Sequence, residues 1–189
     1  MPEEYKNKYR IPSARLQGYD YGQNGAYFIT ICTKNRNHYF GEIVSTPGSE
    51  TQNVASQRAT RIGAIANEYW KNIPEHFPFV LPDEFIVMPN HIHGILVISK
   101  ETQDGVSVSK TGYLNKFGPQ SGNISSVIRG FKAAVASFAT INKIDFGWQP
   151  RFHDRVIRDD EEMKRIRKYI VENPGNWVRD RNNKEDLLM

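Results

Sequence analysis

The chain has one cysteine, Cys32, among 189 residues. A single thiol makes no internal disulfide, so a reducing, cytoplasmic setting is expected. Long hydrophobic runs are also scarce. No apolar stretch is read as reaching the roughly 18 residues that a membrane helix needs, so no membrane association is expected. The N-terminal Met-Pro-Glu-Glu-Tyr-Lys leads into no apolar segment, and no secretory signal is expected. No internal repeat is visible, and the length suits one domain spanning residues 1–189. The tail after Asp180 is short, so no added DNA-binding domain is expected.

Hydrophobic residues make up 39% of the chain and charged residues 24%, the balance of a globular protein with a real core. The net charge of +4 favours polyanionic partners, nucleic acid included. In an N-terminal arm over 1–24, Lys6, Lys8, Arg10 and Arg15 alternate with Tyr5, Tyr9, Tyr19 and Tyr21. Cations that hold phosphates and rings that stack on unpaired bases would suit a single strand. A solvated arm fits the same residues equally well.

Periodicity divides the rest. Ala26 to Thr33 is rich in aromatic and β-branched residues and reads as a buried strand. Tyr39 to Val44 reads as a short return strand, and the polar stretch 45–57 as a loop insertion. Ile62, Ile65, Ala66, Tyr69 and Ile73 recur at helical spacing, and Pro74 ends that helix. Glu84 to Met88 and His91 to Ile98 form a hairpin around Pro89-Asn90. A second loop insertion covers 99–122, followed by a helix from Ile124 to Ile141. Arg151 to Arg158 alternates as a strand, and a last helix runs from about Asp160 to Asn173, with Asp159 and Glu162 as a capping box. This order predicts an α+β fold: a ferredoxin-like antiparallel sheet with helices on one face and a further C-terminal helix.

Within that frame Pro-Asn-His-Ile-His-Gly, residues 89–94, stands out. Residues i and i+2 of a strand share a face, so His91 and His93 project together while Ile92, Gly94, Leu96 and Ile98 face the helices. Two neutral imidazoles on one face can bind a divalent ion, and two histidines on a half-buried sheet give the same pattern. A third group would have to come from elsewhere. His153 on the fourth strand is one candidate. Tyr169 and Asn173, spaced i, i+4 on the last helix, would offer a phenol and an amide oxygen from one face.

Several further stretches share a pattern. Pro-Asn-His-Ile-His-Gly resembles the histidine–hydrophobe–histidine motif of the HUH endonucleases. Trp148 to Trp177, with Trp-Gln-Pro-Arg-Phe-His-Asp and Tyr-Ile-Val-Glu-Asn-Pro, resembles the C-terminal signature of the IS200-like single-tyrosine transposases, in particular the REP-associated tyrosine transposases. Gly-Ala-Tyr-Phe-Ile-Thr-Ile-Cys-Thr is similar to that branch's first strand; Glu68-Tyr69-Trp70 and Ile128-Arg129-Gly130-Phe131-Lys132 fit its two helices. The likeness spans about residues 15–180.

The resemblance implies a metal-dependent transposase that nicks and rejoins single-stranded DNA at hairpin or REP-like sequences. Tyr169 matches the nucleophile of a 5′-phosphotyrosine intermediate, His91 and His93 match the metal ligands, and Asn173 falls where a polar third ligand stands. His153 has no ligand role in that pattern. The ion implied is Mg²⁺ or Mn²⁺, although imidazoles also accept zinc or nickel. A phenol with a pKa near ~10 is a weak nucleophile at neutral pH, and a divalent ion on the phosphate compensates for this. Arg15, Lys34, Arg129, Lys132, Arg151, Arg155, Arg158, Arg165 and Lys168 are candidate DNA contacts, each with a bland alternative as a solvated charge. The expected partner is a single-stranded DNA hairpin, bound by a monomer or a homodimer. Competing expectations are a domesticated hairpin-binding protein that no longer cuts, and another HUH nickase such as a relaxase or replication initiator.

Overall fold

The computed structural model describes residues 4–5, 8–9, 19–46, 54–100 and 121–179. Two short strands, β1 (Glu4–Tyr5) and β2 (Lys8–Tyr9), pair with each other. β3 (Gly25–Cys32) enters the main sheet, and β4 (Gly41–Thr46) and β5 (Val54–Ala59) form a separate two-stranded ribbon. Helix α1 (Arg61–Lys71) and the single turn α2 (Ile73–His76) lead to β6 (Val80–Met88) and β7 (His91–Ile98). Helix α3 (Ile124–Ile141), β8 (His153–Ile157) and helix α4 (Asp160–Glu172) complete the domain.

The main sheet has the order β6-β7-β3-β8 with every pair antiparallel. Ranked along the chain, its four strands run second, third, first, fourth, which is the ferredoxin-like order. Alternation gives the sheet two different faces. Tyr27, Ile29, Ile31, Ile92, Leu96 and Ile98 lie in one core with Ile62, Ala66 and Trp70 of α1 and Val127, Ile128, Phe131 and Val135 of α3. Ile95 and Ile157 face the other way and meet Ile166 and Ile170 of α4, with Phe28, Ile86 and Met163 around them. Gly94 lets Trp70 lie against the sheet: a Cβ there would sit 2.5 Å from Trp70 Cζ2 and 2.9 Å from Phe85 Cβ.

Several expected boundaries move, each for a local reason. The stretch expected as a loop over 45–57 contains strand at both ends, paired from Gly41↔Ala59 to Thr46↔Val54. Backbone ladder bonds make that ribbon, so its polar residues show no apolar alternation. β6 begins at Val80 rather than Glu84, because Pro82 falls on an edge strand, where a missing N–H is tolerated, beside a bulge between Pro82 and Phe85. Pro74 opens the turn α2 instead of ending α1, which Asn72 caps. β8 is shorter than expected, since Arg151 has φ 68° and cannot join a ladder. Helix α3 also corrects the expectation about apolar runs. Among the described residues it is the one helix long and apolar enough to cross a membrane, by length and composition only. Here its apolar stripe faces the core beneath α1. Residues 19 and 21, assigned to an N-terminal arm, are tyrosines packed against that core.

Helix α4 is fixed at its start and along its length. Asp159 Oδ1 accepts from Glu162 N at 2.7 Å, the expected cap. The return bond differs: Glu162 Oε2 accepts from Arg158 N, at 3.0 Å, rather than from Asp159 N. Farther along, the Arg167 guanidinium grips Asp83 of β6 with two parallel bonds, Nε to Oδ1 at 2.7 Å and Nη2 to Oδ2 at 2.6 Å. That grip holds the Asp83 carboxyl below the usual carboxylate range, against an opposing push from partial burial.

Two outcomes are expected. Gly94→Ala drives a methyl into Trp70 and should cost about 1–3 kcal/mol in urea unfolding. Because the Asp83 pKa is lowered on folding, its pairing stabilises the protein fully above about pH 4 and less as pH falls through the depressed value. The stability gap between wild type and Asp83→Asn, read by denaturant melts across an acid series, should therefore shrink as the buffer is taken below pH ~4.

Candidate active site

The register of β3 against β7 pairs Cys32 with His91 and Thr30 with His93. Both imidazoles lie on the face covered by α4, are 0% and 1% exposed, and have ring centroids 4.4 Å apart. Their neighbours fix which nitrogen faces inward. Asn90 Nδ2 donates to Arg36 O at 3.1 Å, which turns Asn90 Oδ1 toward His91 Nδ1 at 2.9 Å. An amide oxygen only accepts, so His91 Nδ1 carries the proton and Nε2 the lone pair. His93 Nδ1 lies 2.9 Å from Thr30 Oγ1, and Nε2 lies 3.2 Å from the Tyr169 hydroxyl. The phenol is the stronger acid of these two hydroxyls, so it donates to Nε2 while Nδ1–H donates to Thr30.

Helix packing delivers Tyr169 to this point. Ile166 and Ile170, four residues apart, anchor α4 on Ile95 and Ile157. Tyr169 then falls beside the anchored stripe, with its ring 5.3 Å from His93 and its side chain still 42% exposed. Phe28 stacks on His93 at 5.3 Å and meets Tyr169 edge-on at 6.1 Å. One turn beyond Tyr169, Asn173 is the C-terminal cap of α4, 2% exposed, with a buried Oδ1 that makes no hydrogen bond. Trp177 closes the far side, stacked on His91 at 6.0 Å.

Among the described residues no three His, Cys, Asp or Glu side chains cluster as a metal site. The groups that could hold an ion are instead two imidazole nitrogens and the amide oxygen of Asn173. Burying an amide oxygen without a bond is costly unless something binds it, so Asn173 Oδ1 fits a ligand's role. Nitrogen and oxygen donors together suit Mn²⁺, and they suit Mg²⁺ where phosphate oxygens and water supply the remaining positions.

An open cavity of about 740 Å³ lies beside Tyr169, between α4 and the β3–β8 part of the sheet. Of the candidate DNA contacts, Arg155 and Arg165 line it. Lys168 and Arg158 are exposed at the same helix and at the end of β8, with Lys168 3.8 Å from Glu172. Arg151 is exposed ahead of β8, and Lys34 lies just past β3 against Gly147. Arg129 and Lys132 belong to α3, on the opposite face of the sheet from the histidines. Lys132 is further committed: its Nζ donates to Gln149 O at 2.7 Å and Arg151 O at 2.9 Å, and burial lowers its pKa. Arg15 lies outside the described residues. His153 is exposed in register with Thr30 and lines the cavity without joining the two histidines.

Thr30, Asn90, Phe28 and Trp177 are parts of the site that sequence patterns did not single out. Asn90 carried only a turn signal. Thr30 and Phe28 act through a strand register set more than sixty residues away, which no local pattern encodes.

No family model matches the chain. An uncharacterized protein of Haemophilus influenzae is 36% identical over 172 residues, covering 89% of this chain and 90% of that one. The solved structure of a REP-associated tyrosine transposase bound to a REP hairpin matches with a TM-score of 0.51 at 18% identity, covering 88% of this chain and 74% of that one. The chain belongs to the family of the Haemophilus influenzae protein, and it shares its fold with the REP-associated tyrosine transposase.

Proposed function

We propose that this protein is a transposase that nicks and rejoins single-stranded DNA through a covalent bond to Tyr169, with a DNA hairpin as its partner. The observation that carries the reading is the placement of a partly exposed phenol 3.2 Å from one of two buried, tautomer-fixed histidines. The fold shared with a transposase solved on a REP hairpin supports the choice of substrate.

In the reaction Tyr169 Oη attacks the scissile phosphorus, a P–O(Tyr169) bond forms, and the bond from phosphorus to the 3′ oxygen breaks. The phenol loses its proton and the departing 3′ oxygen gains one. Attack by a 3′-OH on the phosphotyrosine reverses these steps and joins strands, so the bond energy is conserved and no external source is needed. His91 Nε2, His93 Nε2 and Asn173 Oδ1 would hold a divalent ion, Mg²⁺ or Mn²⁺. When bound, such an ion supplies charge that stabilises the phosphate oxygens and the leaving oxygen. His93 Nε2 has one lone pair, so its bond to the Tyr169 hydroxyl and its use as a ligand are alternatives. In the second arrangement the phenol is released toward the cavity, where a phosphate can reach it.

Two measurements test this. Wild-type protein incubated with labelled single strands carrying hairpins from beside its gene, with Mn²⁺, should give a covalent adduct on a denaturing gel. Tyr169→Phe should give none, and an adduct that persists in this variant would overturn the reading. The competition at His93 adds a second expectation: Tyr169→Phe should bind Mn²⁺ about 2- to 10-fold more tightly in calorimetry, because a hydrogen-bonding competitor is gone. Unchanged affinity would mean that the ion does not use His93 Nε2.

A further inference from the structure

The cavity beside Tyr169 contains an arrangement that cleavage by Tyr169 alone does not use. Glu162 stands in the first turn of α4, yet it is only 5% exposed. A carboxylate at that position normally sits in water, and burying its charge is costly without cationic partners. Here one oxygen caps Arg158 N at 3.0 Å. The other lies 2.5 Å from Arg155 Nη2 and 3.9 Å from Arg165 Nη2. Two guanidinium groups, one from β8 and one from α4, thus converge on one buried carboxylate oxygen. Both line the cavity, and their side chains are 66% and 71% exposed, so their remaining N–H groups are open to a ligand. Asp154 is the only carboxylate in the lining, against Arg155, Arg165 and His153. Tyr169 and Asn173 lie in the same lining.

We infer that this cavity is a phosphodiester subsite, in which Arg155 and Arg165 hold the backbone phosphate next to the one that Tyr169 attacks and Glu162 is the positioning residue that aims Arg155. The inference rests on the single-strand cleavage reading and extends it to the flanking nucleotide. A guanidinium fork matches a phosphate's oxygens, and a strand gripped one phosphate away presents its scissile group in a fixed place. Glu162 holds the Arg155 fork before DNA arrives, which limits the side-chain entropy lost on binding.

The test exploits an opposition of sign. In protein carrying Tyr169→Phe, so that nothing is cut, the affinity for the labelled hairpin strands is measured across a salt series. Arg155→Gln should weaken binding about tenfold and reduce the slope of log K against log salt by about 0.7. Arg165→Gln should act in the same direction. Glu161→Gln, at an exposed position in the same turn, removes one negative charge and should strengthen binding slightly through the overall field. Glu162→Gln removes the same charge but should weaken binding about threefold. Glutamine can still cap Arg158 N, so the helix start is kept. In an Arg155→Gln background the weakening by Glu162→Gln should vanish and leave the slight strengthening expected of Glu161→Gln. Binding that is intact but indifferent to Arg155→Gln and Arg165→Gln, or a Glu162→Gln variant that behaves like Glu161→Gln, overturns the subsite and leaves the role of Tyr169 standing. If neither wild type nor Tyr169→Phe binds any single strand, the transposase reading fails and the subsite with it.

Discussion

The pairing of β3 with β7 is the constraint on which the site depends. A shift of one residue in that ladder would turn His91 and His93 into the apolar core and expose Ile92. The register also sets Thr30 beside His93 and Phe28 within reach of both His93 and Tyr169. Its stability comes from the other side of the sheet, where Trp70 lies over Gly94, the residue next to His93. Packing on one face therefore specifies chemistry on the other.

Much of this was legible in the chain. The boundaries of β7 and α3 follow from strong local periodicity, and the i, i+2 rule alone puts both histidines on one face. Tyr169 and Asn173 share a helix face by spacing, and the resemblance to single-tyrosine transposases gave both a role. What stayed hidden depends on contacts between distant segments. The amide of Asn90 fixes a tautomer only because Arg36 O accepts from its other end. The Arg167–Asp83 grip joins residues 84 apart in sequence. Among the basic residues, sequence could not separate those facing the cavity from Arg129 and Lys132 on the far helix, because the assignment depends on which side of the sheet each helix packs. Strand β5 was missed for a different reason: its sequence, Val-Ala-Ser-Gln-Arg-Ala, carries no hydrophobic alternation to read.

Helix α4 combines several roles in thirteen residues. Its buried stripe, Ile166 and Ile170, sets its distance from the sheet. Arg167 ties it to the edge strand, while Glu162 joins it to β8. The helix that carries Tyr169 is thereby held at its start and at its middle, although the Tyr169 side chain is among the more exposed large hydrophobic groups of the described residues. A nucleophile on a short, doubly braced helix can be open to substrate without being loosely placed.

Trp177 has a consequence outside chemistry. Its indole is 8% exposed and lies between the rings of His91 and His38. Trp70 and Trp148, the other two tryptophans, both belong to the core on the opposite face of the sheet. The domain thus carries a native fluorophore against one of its two paired histidines, spatially separate from the two that report on the core. The Trp177 share of the emission thus gives an optical view of His91 without any label.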